Sequence, residues 1–158
     1  MNTHHLTIIL LLAAAGPLCF SKNVLGQNNN AQDPELVELH TKIDLFFRNL
    51  TDSKLTSDIA FRKLLTGSRL ALDKNVDKVK RLADQIQQFD GQYGKYVAHE
   101  RIAVKRIGRD LVLTKYLYKA EHYPVVWHFT FYRPRPNEKS NWVVIAVKFD
   151  TNLQLLGL

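Results

Sequence analysis

From residue 33 onward the hydrophobic period of the chain changes once. Leu36, Leu39, Ile43, Phe46 or Phe47, and Leu50 recur at spacings of three and four, which predicts an amphipathic helix with one face against a core. Asp33-Pro34-Glu35 opens it with an acceptor for free amides, a proline suited to the first turn and an acid at the positive end of the dipole. Leu55, Ile59, Leu64 and Leu65 predict a second helix, capped by Thr51 or Asp52 and ended by Gly67. Val76, Val79, Leu82, Ile86 and Phe89 predict a third, with Asp73 as cap and Gly91 as stop.

After Gly91 the period falls to about two. Four segments follow: Tyr96 to Ile107, Leu111 to Glu121, Val125 to Tyr132, and Trp142 to Phe149. Gly108-Arg109-Asp110 and His122-Tyr123-Pro124 are turn signals, and Pro134, Pro136 and Asn137 break the chain before the last segment. Connections this short predict antiparallel neighbours, because parallel strands need a long crossover. The expected fold is α+β: three N-terminal helices packed on one face of a curved four-stranded antiparallel sheet.

The third segment, V-V-W-H-F-T-F-Y, alternates strictly. Trp127, Phe129 and Phe131 share one face, matched on the next strand by Val143, Ile145, Val147 and Phe149, and both rows are expected in the core. The other face carries His128, Thr130 and Tyr132, which Tyr116 or Tyr118 would join if the strand register permits. This polar set is a candidate ligand site. A protein interface and internally satisfied polar groups are the alternatives.

Ahead of residue 33 the pattern is different. Leu6 to Phe20 is apolar but too short to span a bilayer, and small residues follow it, as in a secretory signal. Residues 1–26 are expected to be a signal peptide cut after Val24-Leu25-Gly26, although the positions before the apolar run hold His4 and His5 rather than lysine or arginine. Leu18 before Cys19 disfavours a lipoprotein. Residues 27–32, Q-N-N-N-A-Q, read as a flexible lead-in to one domain over 33–158. The single cysteine, Cys19, lies inside the signal, so a processed chain would have no disulfide, thiol nucleophile or thiolate metal site. An exported domain without disulfides fits a bacterial periplasm or cell exterior.

The order of elements and several local words resemble the nuclear transport factor 2-like superfamily. The words are L-L-T-G-S (64–68), F-D-G-Q-Y-G (89–94), F-T-F-Y-R-P (129–134) and N-W-V-V-I-A-V-K-F-D (141–150). The resemblance implies a cone-shaped roll whose sheet curls around the helices and leaves a pocket between them. It also implies a range of roles, from isomerases, dehydratases and cyclases to non-catalytic binding and dimerisation modules, so fold alone assigns none of them. The ketosteroid-isomerase-like branch would place a tyrosine on the first helix and aspartates in the pocket. This chain has His40, Phe46 and Phe47 on that helix, and no aspartate matches either role.

Candidate chemistry is sparse. His99-Glu100-Arg101 has acid/base residue types, but alternation leaves only His99 and Arg101 co-facial. His99, His122 and His128, with Glu100 or Glu121, lack any recognised metal-ligand spacing. No nucleophile elbow, phosphate loop or dinucleotide fingerprint is present, and no cofactor is expected. Charge adds one feature. The formal charge of +7 becomes +6 without Lys22, and Arg101, Lys105, Arg106 and Arg109, with Lys115 and Lys119, gather around one predicted hairpin, a candidate polyanion patch. Export argues against nucleic acid as its partner.

The leading expectation is an exported, non-catalytic binding or assembly module, homodimeric through its sheet, with room for a small apolar or anionic ligand. One alternative is an isomerase, lyase or hydratase acting in the cone through His128, Tyr116 or Tyr132. The other is polyanion binding.

Overall fold

Helix α1 (Pro34–Thr51) begins as its opening residues require: Asp33 Oδ1 accepts from the Glu35 amide at 3.0 Å and Pro34 takes the first turn. The computed structural model describes residues 33–71, 75–135, 142–151 and 153. The expected signal and lead-in, the Asp73 cap, and Pro136 and Asn137 lie outside them.

The second helix starts later than its sequence suggested. Thr51 is the last residue of α1, its hydroxyl bonded back to Phe47 O at 3.0 Å, and Asp52 holds a turn by accepting from the Lys54 amide. Helix α2 (Ser57–Leu64) is capped instead by Thr56, whose hydroxyl accepts from the Ile59 amide at 3.4 Å. A 3₁₀ turn (Arg69–Ala71) follows, then α3 (Val76–Ile86) and a one-turn α4 (Phe89–Tyr93). Phe89 therefore starts a separate element, and Gly91 lies within α4 rather than ending α3. The chain turns at Gly94, where φ is +86°, a region glycine enters without steric cost.

Strands β1 (Tyr96–Ile107), β2 (Leu111–Ala120), β3 (Val125–Tyr132) and β4 (Val143–Asp150) form one open antiparallel sheet in the order β1-β2-β3-β4. The fold is thus α+β, with the helices N-terminal to the strands. Gly108, at φ +61°, makes the β1–β2 turn.

All the helices contribute to one core on one sheet face. Phe46 and Phe47 of α1 and Phe61 of α2 meet Trp127 edge-on or tilted, Phe89 of α4 meets Trp127 and Phe149, and Ala83 and Ile86 of α3 join the same cluster. Trp127, Phe129 and Phe131 are fully buried there, as alternation requires.

The matching row on β4 is only half as expected. Thr130 pairs with Ala146 and Phe131 with Val144, so Ile145 is an extra residue, a β-bulge. Beyond the bulge the alternation inverts: Val144 is fully buried, while Ile145 is 42% exposed and Val143 pairs with Tyr132. Val147 and Phe149 keep the expected side. Ser68 of the L-L-T-G-S word donates its hydroxyl to Val144 O, which ties the helical layer to the bulged strand.

Candidate functional site

The register separates the residues that the sequence offered as one ligand site. Tyr116 pairs with Trp127 and Tyr118 with Val125, so both tyrosines face the helices. His128 pairs with Lys115, Thr130 with Leu113 and Tyr132 with Leu111, all on the opposite, outer face. Strand β2 is apolar on both faces, Tyr116, Thr114 and Val112 inward and Leu111, Leu113 and Leu117 outward, and parity alone does not choose between them. The aromatic row of β3 does, because rings fill the layer under α1 with the fewest gaps.

Where a cone pocket would lie, the interior is filled. Phe46, Phe47, Phe61, Tyr116, Trp127 and Phe129 have essentially no exposed surface. An open cavity of about 520 Å³ remains at the mouth, between the end of α1, α4, β1 and β2, with Tyr118, Tyr96, Asp90 and Lys95 among its lining. The Tyr118 phenol is pushed up from its ordinary pKa by burial, then by the nearby Asp90 charge. It is a hydrogen-bonding group at neutral pH, not a base.

The basic residues do not form one stripe. Arg101 pairs with Tyr116 on the helix side, Lys105 with Leu113 on the outer side, and Arg109 lies in the hairpin turn. Arg106 is clasped by the start of α1, with Asp33 at 2.8 Å and Glu35 at 3.0 Å. Arg133 joins this clasp through Asp110 at 3.0 Å, through Glu35 and through the Arg109 carbonyl at 3.0 Å, and stacks 4.9 Å from the Trp142 ring centre. The arginine of F-T-F-Y-R-P is therefore a rivet between the end of β3, the β1–β2 turn and α1. Its signal was the acidic pair Asp33 and Glu35, which serve the helix start and the rivet together.

A second polar constellation lies on the helix side. His99 and Arg101 do share a face, turned toward α1. The Asp44 carboxylate only accepts, so His99 Nε2–H donates to Asp44 Oδ1 at 2.9 Å and leaves Nδ1 to accept from the Tyr96 hydroxyl at 2.6 Å. His40 repeats the arrangement, with Nδ1 at 2.5 Å from the Tyr116 hydroxyl and Nε2 at 3.6 Å from Asp44 Oδ2. Tyr96 and Tyr116 are raised above the ordinary phenol pKa, mainly by burial, so both hydroxyls stay protonated donors. The result is a chain, Tyr116–His40–Asp44–His99–Tyr96, that fastens α1 to β1 and β2. Its legible half was the spacing of His40, Asp44 and Arg48 at every fourth residue of α1, a polar stripe beside the apolar one.

His122 lies in the β2–β3 connection, and His99 and His128 are on opposite faces. Among the described residues no group of three or more metal-ligating side chains converges, and no helix is long and apolar enough to cross a membrane.

Two imidazoles give the fold a pH dependence. Burial lowers the pKa of His40, partly offset by Asp44, and burial followed by the flanking Lys148 and Lys115 charges lowers that of His128. In the unfolded chain both would titrate near ~6.5, so the unfolded state takes up protons first as pH falls. Stability is expected to be full above that value and to decline through and below it toward the folded pKa values. Urea midpoints measured across pH 7.5 to about 5.5, where carboxylates stay mostly ionised, should fall. His128→Gln should flatten the slope, and an unchanged slope would remove His128 from the account.

Compared with known proteins, the chain matches no family model, no curated protein and no solved structure.

Proposed function

We propose that this protein is an exported, non-catalytic binding and assembly module, placed in a bacterial periplasm or cell exterior and built as a nuclear transport factor 2-like roll that pairs with a second copy through its outer sheet face. The observation that carries the reading is the character of that face. Among the described residues the helices pack on the Trp127 side, and the other side presents partly exposed Leu111, Leu113 and Leu117 beside Thr130 and a 41% exposed Tyr132.

A row of leucines and a tyrosine on one sheet face suits a protein partner, since interface cores favour apolar and aromatic groups. A second copy is the favoured occupant because the face carries both signs of charge: Lys105, Lys115, Lys119 and Lys148 alternate with Glu100 and Asp150. Two-fold pairing of such a surface can set cation against anion, whereas a polyanion would meet the carboxylates. The clasp on Arg106 weakens the polyanion reading further. The enzymatic alternative required His128, Tyr116 and Tyr132 to converge, and they lie on two faces.

The test is the oligomeric state by light scattering and sedimentation across a concentration series. A dimer is expected for the native protein and a monomer for the double variant Leu113→Glu/Leu117→Glu, with circular dichroism unchanged. A monomer at every concentration, or a dimer that survives the double variant, would reject the sheet interface. A second reading, a small apolar or anionic ligand in the mouth cavity, is favoured by Tyr118 and Tyr96 lining it. Native mass spectrometry of protein purified without stripping reads both: a doubled mass for assembly, or an added mass lost in Tyr118→Phe for the ligand.

A further inference from the structure

Every polar group on the floor of the cleft between α1 and β1 is oriented by a partner except two. The Asp44 charge faces His99 Nε2 at 2.9 Å and His40 Nε2 at 3.6 Å, and tyrosine hydroxyls occupy the remaining imidazole nitrogens. Glu100 at the rim is paired with Lys119 at 2.7 Å. Arg48 and Arg101 line the same cleft, and neither has an ion pair or hydrogen bond within the described residues.

That asymmetry is physically costly. Arg101 is half-buried beside Tyr116 and His40, and a partly desolvated guanidinium with no hydrogen-bonded partner gains from one that replaces its lost hydration. Glu100 at the rim is neutralised by Lys119, so Arg48, Arg101 and Lys119 face Asp44 and Glu100, three positive charges against two negative, and the cleft with its rim is net positive. A guanidinium presents a planar fork of donors that matches the oxygens of a carboxylate or phosphate. Both edges of His40 are turned to partners, Nδ1 to Tyr116 at 2.5 Å and Nε2 to Asp44 at 3.6 Å, so the free donors of the cleft are those of the two guanidinium groups.

From this we infer that the α1–β1 cleft is a binding site for a small oxyanion ligand, a carboxylate or phosphate group held between Arg101 and Arg48. Asp44 does not contact the anion. It faces both imidazoles, His99 Nε2 at 2.9 Å and His40 Nε2 at 3.6 Å. Arg48 lies on α1 and Arg101 on the helix side of β1, away from the outer leucines, so the site holds whether or not the protein dimerises.

The experiment is a titration of the full protein followed by the His Cε1–H and Arg Nε–H resonances. Sodium phosphate and sodium succinate are the two probes, with sodium chloride at matched ionic strength as the reference. Saturable shifts of His40, His99 and Arg101 are expected with at least one probe, and the probe that saturates identifies the oxyanion as phosphate or carboxylate. Arg101→Gln should weaken that binding about tenfold, the loss of one charge-assisted contact, and Arg48→Gln should weaken it less. Arg109→Gln, in the hairpin turn, should leave it unchanged. Shifts that track ionic strength alone, or saturation that persists in both Arg101→Gln and Arg48→Gln, would overturn the site. Should Arg101→Gln fail to fold, the Arg48→Gln titration and the chloride comparison decide the question by themselves.

Discussion

Phe47→Ala is expected to cost ~3–5 kcal/mol of stability, and Phe129→Ala a similar amount. Phe47 projects from α1 into the centre of the sheet and lies within ring-contact distance of Phe46, His99, Tyr116, Tyr118, Trp127 and Phe129. Removing it leaves a cavity walled mainly by buried side chains of α1, β2 and β3, so the site has few ways to collapse. Phe129 is held between Tyr116, Trp127, Phe46 and Phe47 in the same layer. Thermal unfolding should move down by about 10 °C or more for either variant, given the usual relation for a domain of this size. Tyr132→Ala is the control: next to Phe131 in β3 and so on the outer face, it should change stability by less than about 1 kcal/mol. If Phe47→Ala were as mild as Tyr132→Ala, the filled interior would be wrong and the cone would be open after all.

How far these assignments could be read from residues alone depends on what each rests on. Period is local, and the strand limits inferred for β1 and β3 coincide with those observed. Parity is local only when one face is polar. On β3 the alternation of Trp127, Phe129 and Phe131 with His128 and Thr130 fixed the buried side, whereas β2 offers leucines on one face and tyrosines on the other. Choosing leucines for the core would have been the simplest inference from hydropathy. The opposite happens because the Tyr116 hydroxyl finds His40 and the ring finds Phe47 and Phe129, so the tyrosine is buried with its polar tip satisfied. That choice depends on a residue 76 positions away in the chain.

Bulges defeat the same logic in another way. An inserted residue such as Ile145 leaves composition and period nearly unchanged but reverses every side chain on one side of it. The polar chain through Asp44 was hidden for a related reason. His40 and Asp44 are legible as neighbours on a helix, and His99 and Arg101 as neighbours on a strand, but their meeting is a property of how α1 crosses β1. The outer leucines and the α1–β1 cleft, which carry the two functional readings, are both products of pairings between distant segments.

The word F-D-G-Q-Y-G contains two glycines, and the structure gives them opposite roles that stability measurements can separate. Gly94→Ala is expected to destabilise by ~3 kcal/mol or more. Its backbone has φ +86° and ψ 172°, a region open essentially to glycine alone and worth ~1–3 kcal/mol of strain for other residues. A methyl group there would also lie 2.9 Å from Glu121 Cβ and 3.1 Å from the His122 amide nitrogen. Neither neighbour can retreat cheaply, because the Glu121 amide donates to Lys95 O at 3.0 Å and the His122 amide to Tyr93 O at 2.9 Å. These bonds lock the end of α4 and the start of β1 onto the β2–β3 turn, so their loss would loosen the edge of the mouth cavity as well. Gly91 has no atom within 4 Å of where its methyl would go and lies inside α4. Gly91→Ala should therefore be neutral or stabilising by up to ~1 kcal/mol, the helix preference of alanine over glycine. Urea denaturation of the two variants measures the contrast directly. Equal effects would mean that the chain turns at Gly91, as the periodicity alone suggested, and that α4 is not an independent element.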